Sequence, residues 1–269
     1  MNLWRRVACA VLLLVIGVSL SANWLAPGGY AKQYREAAGA PPSRQHWLGT
    51  DDIGRDRFAR LLYGTRISLL LAPGAALLST LMAALIGGAA GYLGGFWQRG
   101  AMAVTDVFLS LPWLFLLITV RALLPLNVSP LFSILVTFLM LGLLGWTGAA
   151  RVLCASAASL RDSDFLRQAR ALGIAPGRIF WIHVLPNLKP VLFAQFWISI
   201  PAFILSEANL GILGLGVAEP MPSWGSLLKE LEGLVSVGEE PWKFVPLALL
   251  IVVVTSFQTV LWKDEELAA

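Results

Sequence analysis

Charge is scarce in this sequence: Asp, Glu, Lys and Arg supply 13% of its 269 residues, where a soluble domain averages about 25%. Histidine and cysteine are scarcer still, with two of each. His46 and His183 stand far apart in different loops, so neither an HExxH pair nor any other metal-ligand cluster is present. No Lys follows a Gly, which excludes a Walker A phosphate loop, and no GxSxG elbow sets a serine as nucleophile. The chain is therefore expected to be non-catalytic, without a metal or cofactor of its own. Cys9 and Cys154 lie in or beside apolar segments of different spans and read as small hydrophobes, not as a disulfide. The net charge of +4 is modest. Its basic residues flank apolar runs, a membrane-topology pattern that argues against a nucleic-acid partner.

What remains is hydrophobic: 57% of the residues are apolar and the mean hydropathy is +0.73. Long uncharged runs predict an all-α integral membrane protein with about six spans, near 7–25, 67–93, 102–124, 131–150, 191–215 and 244–262. A first span and outer loop (1–66) precede a five-helix core (67–262) containing a basic interval (151–190), and an acidic tail (263–269) follows. The run 7–20 behind Arg5 and Arg6 imitates a signal peptide, but an uncleaved first span is expected because later spans need a fixed orientation. Arg151, Arg161, Arg167, Arg170, Arg178 and Lys189 place 151–190 in the cytoplasm together with both termini. Opposing this, the first outer loop carries Lys32, Arg35, Arg44, Arg55, Arg57, Arg60 and Arg66, which the same rule expects inside.

The stretch 164–190 is the polar centre of the chain. Phe165, Ala169 and Leu172 recur at helical spacing, Gly173 can stop that helix, and Pro176-Gly177 turns the chain. A second helical run, 178–184, is expected to halt before Pro186. Such a helix pair reads as a rigid knob presented to a cytoplasmic partner. Phe165, Leu166 and Leu172 would fill a partner's cleft, with Arg167 and Arg170 on its rim; the plain alternative is a solvated loop.

Other features have structural readings first. The polar loop 30–62 is expected to hold a short helix capped at Thr50 to Asp52, with Phe58, Leu61 and Leu62 on its apolar face and local pairing of its Asp and Arg residues. Gly87, Gly91 and Gly95, four apart, suit close helix packing. Asp106 suits a helix N-terminus, Pro112 a kink or an entry into the bilayer, and Arg121 a snorkelling anchor. Pro201 is expected to kink the fifth span, and Glu207 and Asn209 are polar groups within it; a carboxylate there faces a cavity or a partner. Trp224 and Trp242 suit an interfacial belt, and 226–237 an amphipathic surface helix.

Three blocks resemble the dipeptide/oligopeptide/nickel permeases of ABC importers. In the coupling block, Ala169, Gly173, Leu185 and Pro186 fit a Glu-Ala-Ala…Gly…Leu-Pro pattern, with His183 and Asn187 as in the peptide branch. The first loop carries Gly49-Thr50-Asp51, Gly54-Arg55-Asp56 and Arg66-Ile67-Ser68, and the third block runs from Glu207 through Pro222-Ser223-Trp224-Gly225. The resemblance implies half of an inner-membrane importer pore, most naturally for peptides. Its expected partners are a second homologous permease, two ATP-binding subunits that alone bind and hydrolyse ATP, and an extracytoplasmic solute-binding protein. It implies ATPase contact through 165–173, including Gln168, and through Leu185 and Pro186. Glu207 would pair with the partner permease or face the pore toward a peptide amine. Two departures stand out: Arg167 and Gln168 replace the usual Glu and first Ala, and the C-terminal segment from Gln258 lacks the family's usual tail. Nickel or another small solute is the alternative cargo. An ATP-independent secondary transporter is the rival class, disfavoured because Glu207 is nearly alone among ionisable groups in the spans.

Overall fold

The computed structural model of the chain describes residues 3–123, 129–231 and 240–261. Among these the protein is helical, with only two isolated β-bridges, Gln33 to Arg55 and Thr50 to Asp56. Its principal helices are α1 (Leu3–Leu20), α2 (Arg57–Ala83), α3 (Ala89–Leu93), α4 (Gly95–Ser110), α5 (Trp113–Ala122) and α6 (Pro130–Leu144). They continue as α7 (Trp146–Arg161), α8 (Asp164–Ala171), α9 (Pro176–Ile179), α10 (Lys189–Ile212), α11 (Trp224–Lys229) and α12 (Val245–Leu261). Among the described residues five stretches are long and apolar enough to cross a bilayer, and the α4–α5 pair, bent by 84°, brings the number to as many as six.

The elements depart from the sequence expectation where side chains act locally. The second span starts at Arg57, not Ile67, because Asp56 caps α2: its Oδ1 accepts the Ala59 N–H at 3.0 Å. Thr50 to Asp52 therefore cap no helix, and Phe58, Leu61 and Leu62 belong to α2 itself. Arg57–Leu93 and Pro130–Arg161 contain 37 and 32 residues, more than the ~20 a bilayer needs, so both extend beyond it. Pro112 breaks the third span; Leu111 before it is extended, as a pre-proline residue prefers. Asp106 lies within α4, not at its start, and pairs with Arg151. Pro201 sits inside a continuous α10. The expected outer turn 125–130 and the tail 263–269 fall largely or wholly outside the described residues.

The chain divides into two compact units, residues 1–72, 120–138 and 201–269 forming one and 73–119 and 139–200 the other. In the second unit, α7 is the packing axis. Its Ala149, Ala150, Leu153, Cys154 and Ala157 are buried. The neighbouring helix approaches so closely that a Cβ on Gly87 would lie 2.1 Å from the Ala150 carbonyl oxygen, and one on Gly91 2.2 Å from that of Cys154. Gly95 does not share this seam; it begins α4, with nothing within 4 Å of an added Cβ.

In the first unit α1 packs on α12, and three arginines of the first loop, Arg55, Arg57 and Arg60, find acids distant in sequence. Arg60 is fully buried and donates to Glu219 at 3.0 Å. Arg55 pairs with Asp51 and Glu219, and Arg57 with Glu230. Burial pushes the Glu230 carboxyl up despite opposing attraction from Arg57 and Arg60. Three of the seven basic residues that oppose the orientation, Arg55, Arg57 and Arg60, thus hold a folded loop together. Helix α11 opens with a capping box between Ser223 and Ser226. Its Trp224, Leu227 and Leu228 are buried. Trp224 is thus a core residue, not an interfacial one, and α11 is no surface helix; Leu234 and Val235 lie outside the described residues.

Candidate functional site

The segment after α7 is built as a short amphipathic helix on a firm seat. Asp164 occupies the first turn of α8 and Arg170 the last, each suited to the helix dipole at its end. Leu166 and Ala169 point into the core of the second unit, where Ala149, Leu153, Ile179, Phe180, Val184 and Leu188 are also buried. Phe165, Arg167, Gln168 and Arg170 are exposed on the opposite side, and Leu172, just past the helix, is 81% exposed. Arg170 lies over the Tyr92 ring, 5.5 Å from its centroid, a cation–π contact that ties the outer face of α8 to α3. The Arg167–Asp164 pair, at 3.9 Å and largely exposed, adds little.

The helix ends in a Schellman turn. Ile174 N–H donates to Ala169 O at 3.2 Å and Gly173 N–H to Arg170 O at 2.9 Å. Gly173 has φ +71°, the left-handed conformation that glycine adopts without penalty. Pro176 then starts α9 at a position where its missing N–H costs nothing, so it begins a helix where a turn was expected. The second helix does not halt before Pro186. It widens into a π turn, Phe180–Val184, and continues through Leu185–Asn187. A proline needs no donor and crowds the preceding turn, and widening relieves that crowding. Leu185 and Pro186 are half-buried at this joint, and Asn187 Nδ2 donates to the His183 carbonyl at 2.6 Å.

Of the candidate coupling residues, the fold therefore brings Phe165, Arg167, Gln168, Arg170, Leu172 and Gly173 to one exposed surface. Leu166 and Ala169 hold that surface from beneath. Leu166 fills this chain's own core, where the sequence expectation had placed it in a partner's cleft. Tyr92, Ile179 and Phe180, which seat the helix, were missed. Tyr92 is 72 to 79 positions upstream of α8, and no local pattern links them.

Glu207 is wholly enclosed in the first unit. The Ser68 and Ser223 hydroxyls and the Gly225 N–H lie about its carboxylate, and the backbone of Gly225 is so near that an added Cβ would stand 2.9 Å from Glu207 Oε1. The carboxylate is packed by groups of its own chain, on no surface of that unit, while Asn209 is exposed. Arg121 does not snorkel. It is 3% exposed, with Nε donating to Leu215 O at 2.9 Å and Nη2 donating to Ser133 Oγ at 2.9 Å and Gly216 O at 3.2 Å.

Comparison with known proteins places this arrangement. Residues 81–261 match the family described as the inner membrane component of binding-protein-dependent transport systems. Over 260 residues the chain is 29% identical to the oligopeptide transport system permease protein OppC of Bacillus subtilis, covering 96% of this chain and 83% of that protein. It is 31% identical to the dipeptide transport system permease protein DppC of the same organism, covering 89% and 75%. Identity to OppC of Mycobacterium tuberculosis is 33%, covering 91% and 82%. With the matched region taking in the glycine seam, the exposed α8 surface and the buried Glu207 alike, the chain belongs to the family of binding-protein-dependent transport system inner membrane components.

Proposed function

We propose that this chain is the permease subunit of an ATP-driven peptide importer, forming half of a pore in a bacterial inner membrane. A second, homologous permease completes the pore. Two ATP-binding subunits on the cytoplasmic face bind and hydrolyse ATP, an extracytoplasmic solute-binding protein delivers cargo, and this chain is non-catalytic. Peptides are the proposed cargo because the relatives above are named as oligopeptide and dipeptide permeases.

The observation carrying this reading is the division of α8 into two faces. Phe165 and Leu172 offer an apolar contact to an ATPase cleft, while Leu166 and Ala169 rivet the same helix into the core of the second unit. A displacement of the exposed face is thereby delivered to α7 and the π turn, because a close-packed interior transmits strain without absorbing it. Arg167, Gln168 and Arg170 rim the contact. Family members usually carry a carboxylate where Arg167 stands, so the partner surface is expected to present an acid there. Arg167→Glu should then weaken ATPase association about tenfold, about 1.4 kcal/mol, in a binding titration of the detergent-purified complex. Unchanged affinity would show that this position makes no contact. The reading as a whole is tested in proteoliposomes holding both permeases and both ATPases: peptide uptake should require ATP and the binding protein together, and uptake without either would exclude it.

A further inference from the structure

The first unit holds a pocket of about 320 Å³ lined by Arg121, Gly211, Gly214, Gly216, Glu219 and Lys229, among others. Among the described residues its charge is unbalanced. Arg121 is buried, yet its three hydrogen bonds go only to neutral oxygens: two backbone carbonyls and the Ser133 hydroxyl. Nη1 has no partner among the described residues, nor has Arg121 an ion pair there. A buried cation without a carboxylate is costly; within a span it either pairs with backbone carbonyls, as Nε and Nη2 do, or serves a solute or ion path. Lys229 adds a second cation. Its side chain folds over Gly214, where an added Cβ would meet Nζ at 3.0 Å. Glu219 does not cancel them, because its carboxylate is shared between Arg60, at 3.0 and 3.3 Å, and Arg55. Of the three glycines in the wall, Gly211 and Gly216 let backbone pack closely, since a Cβ on either would strike the backbone of Gly225 or Gly211, and Gly214 leaves room for the Lys229 side chain.

We propose that this pocket receives a carboxylate of the transported solute, held by Arg121 through Nη1 and by Lys229. Arg121 then has two tasks: Nε and Nη2 fix the 215–216 backbone against Ser133, and the remaining nitrogen recognises the anion in the charge-assisted geometry guanidinium groups favour. The volume suits one small residue of a solute, not an entire peptide. This rests on the importer reading above and adds a recognition element within the permease itself.

The test uses the full chain in phosphatidylcholine nanodiscs with its lysines 13C-methylated, the Lys229 resonance being assigned by its loss in Lys229→Gln. N-acetylalanine should shift that resonance saturably while N-acetylalaninamide leaves it in place, and Arg121→Gln should abolish the shift. An equal response to acid and amide, or none to either, overturns the site. So does the same shift on substituting phosphatidylglycerol with no solute added, since the occupant is then a lipid headgroup. The acid–amide comparison needs only the unmutated chain, so it survives a misfolded Arg121→Gln. In the reconstituted importer, Lys229→Gln should lower uptake of a free-acid peptide about tenfold and leave its C-terminal amide unaffected. If Lys229 responds to the acid but the importer moves no peptide, the cargo reading fails and the site stands. If peptides are imported while Lys229 is indifferent, the site fails and the cargo reading stands.

Discussion

Gly173→Pro is expected to leave the chain inserted and folded but to cut its association with the ATPase subunits by at least about tenfold. Proline cannot take the φ of +71° that the Schellman turn imposes. It also removes the N–H that donates to Arg170 O at 2.9 Å. Strain at such a position costs about 1–3 kcal/mol, and a lost hydrogen bond adds about 1 kcal/mol. The residue before the proline, Leu172, would be pushed out of its present conformation as well. The damage is local: an added Cβ at Gly173 meets nothing within 4 Å, and Leu166 and Ala169 remain buried one turn earlier. What is lost is the placement of Leu172 beside Phe165 on the exposed surface. Gly173→Asn, which tolerates the left-handed region, should retain most of the association. Co-purification of ATPase from membranes at equal permease yield measures both; wild-type recovery with the proline variant would disprove a coupling role for this turn.

Gly91→Leu should have the larger effect on the fold itself. The Cys154 carbonyl would lie 2.2 Å from the new Cβ, with Ala157 Cβ and Ala158 N both at 3.0 Å. No rotamer relieves a clash made at the Cβ with backbone, so α3 must move off α7. Overpacking of this kind costs about 3 kcal/mol or more, and in lipid the lost contact is the van der Waals packing that drives helix association. A fall of many degrees in the detergent melting temperature, or loss of monodisperse protein, is the expected result. Gly148→Ala, on α7 but with nothing within 4 Å of its added Cβ, should melt as the wild type does. Similar melting of Gly91→Leu and Gly148→Ala would contradict the tight α3–α7 crossing. Because Gly88, three residues before Gly91, abuts Leu188 and Phe180, the defect should also loosen the seat beneath α8.

Both predictions turn on residues that stood out in the sequence, though for different reasons. The four-residue spacing of Gly87 and Gly91 announced a close helix approach, and the approach exists; the partner, α7, is some 60 positions away and was not readable. Gly173 announced a helix stop, and Pro176 the start of the next helix only in retrospect. Apolar run length gave the spans to within a few residues at most ends. It failed where a cap or a polar continuation of the helix decided the boundary, at Asp56, where the helix starts at Arg57 and not at 67, and beyond 150, where α7 runs on to Arg161; the bend at Pro112 was expected.

Local properties were thus determined by the sequence alone: the membrane-spanning helical class, the positions of the spans, the absence of an ATP-hydrolysing motif and the polar interval centred on α8. Each depends on residues within a turn or two of one another, or on total hydrophobicity, and these survive without knowledge of the fold. The tertiary structure decided which side chains face inward. Leu166 went to the core and Phe165 to the surface, Trp224 inside, Arg121 onto distant carbonyls, and Glu207 beside Ser68, Ser223 and Gly225. In lipid an exposed apolar side chain is as well solvated as a buried one, so hydrophobicity no longer separates inside from outside. Close packing makes that choice, joined for Arg121 by hydrogen bonds to groups 12 to 95 positions away.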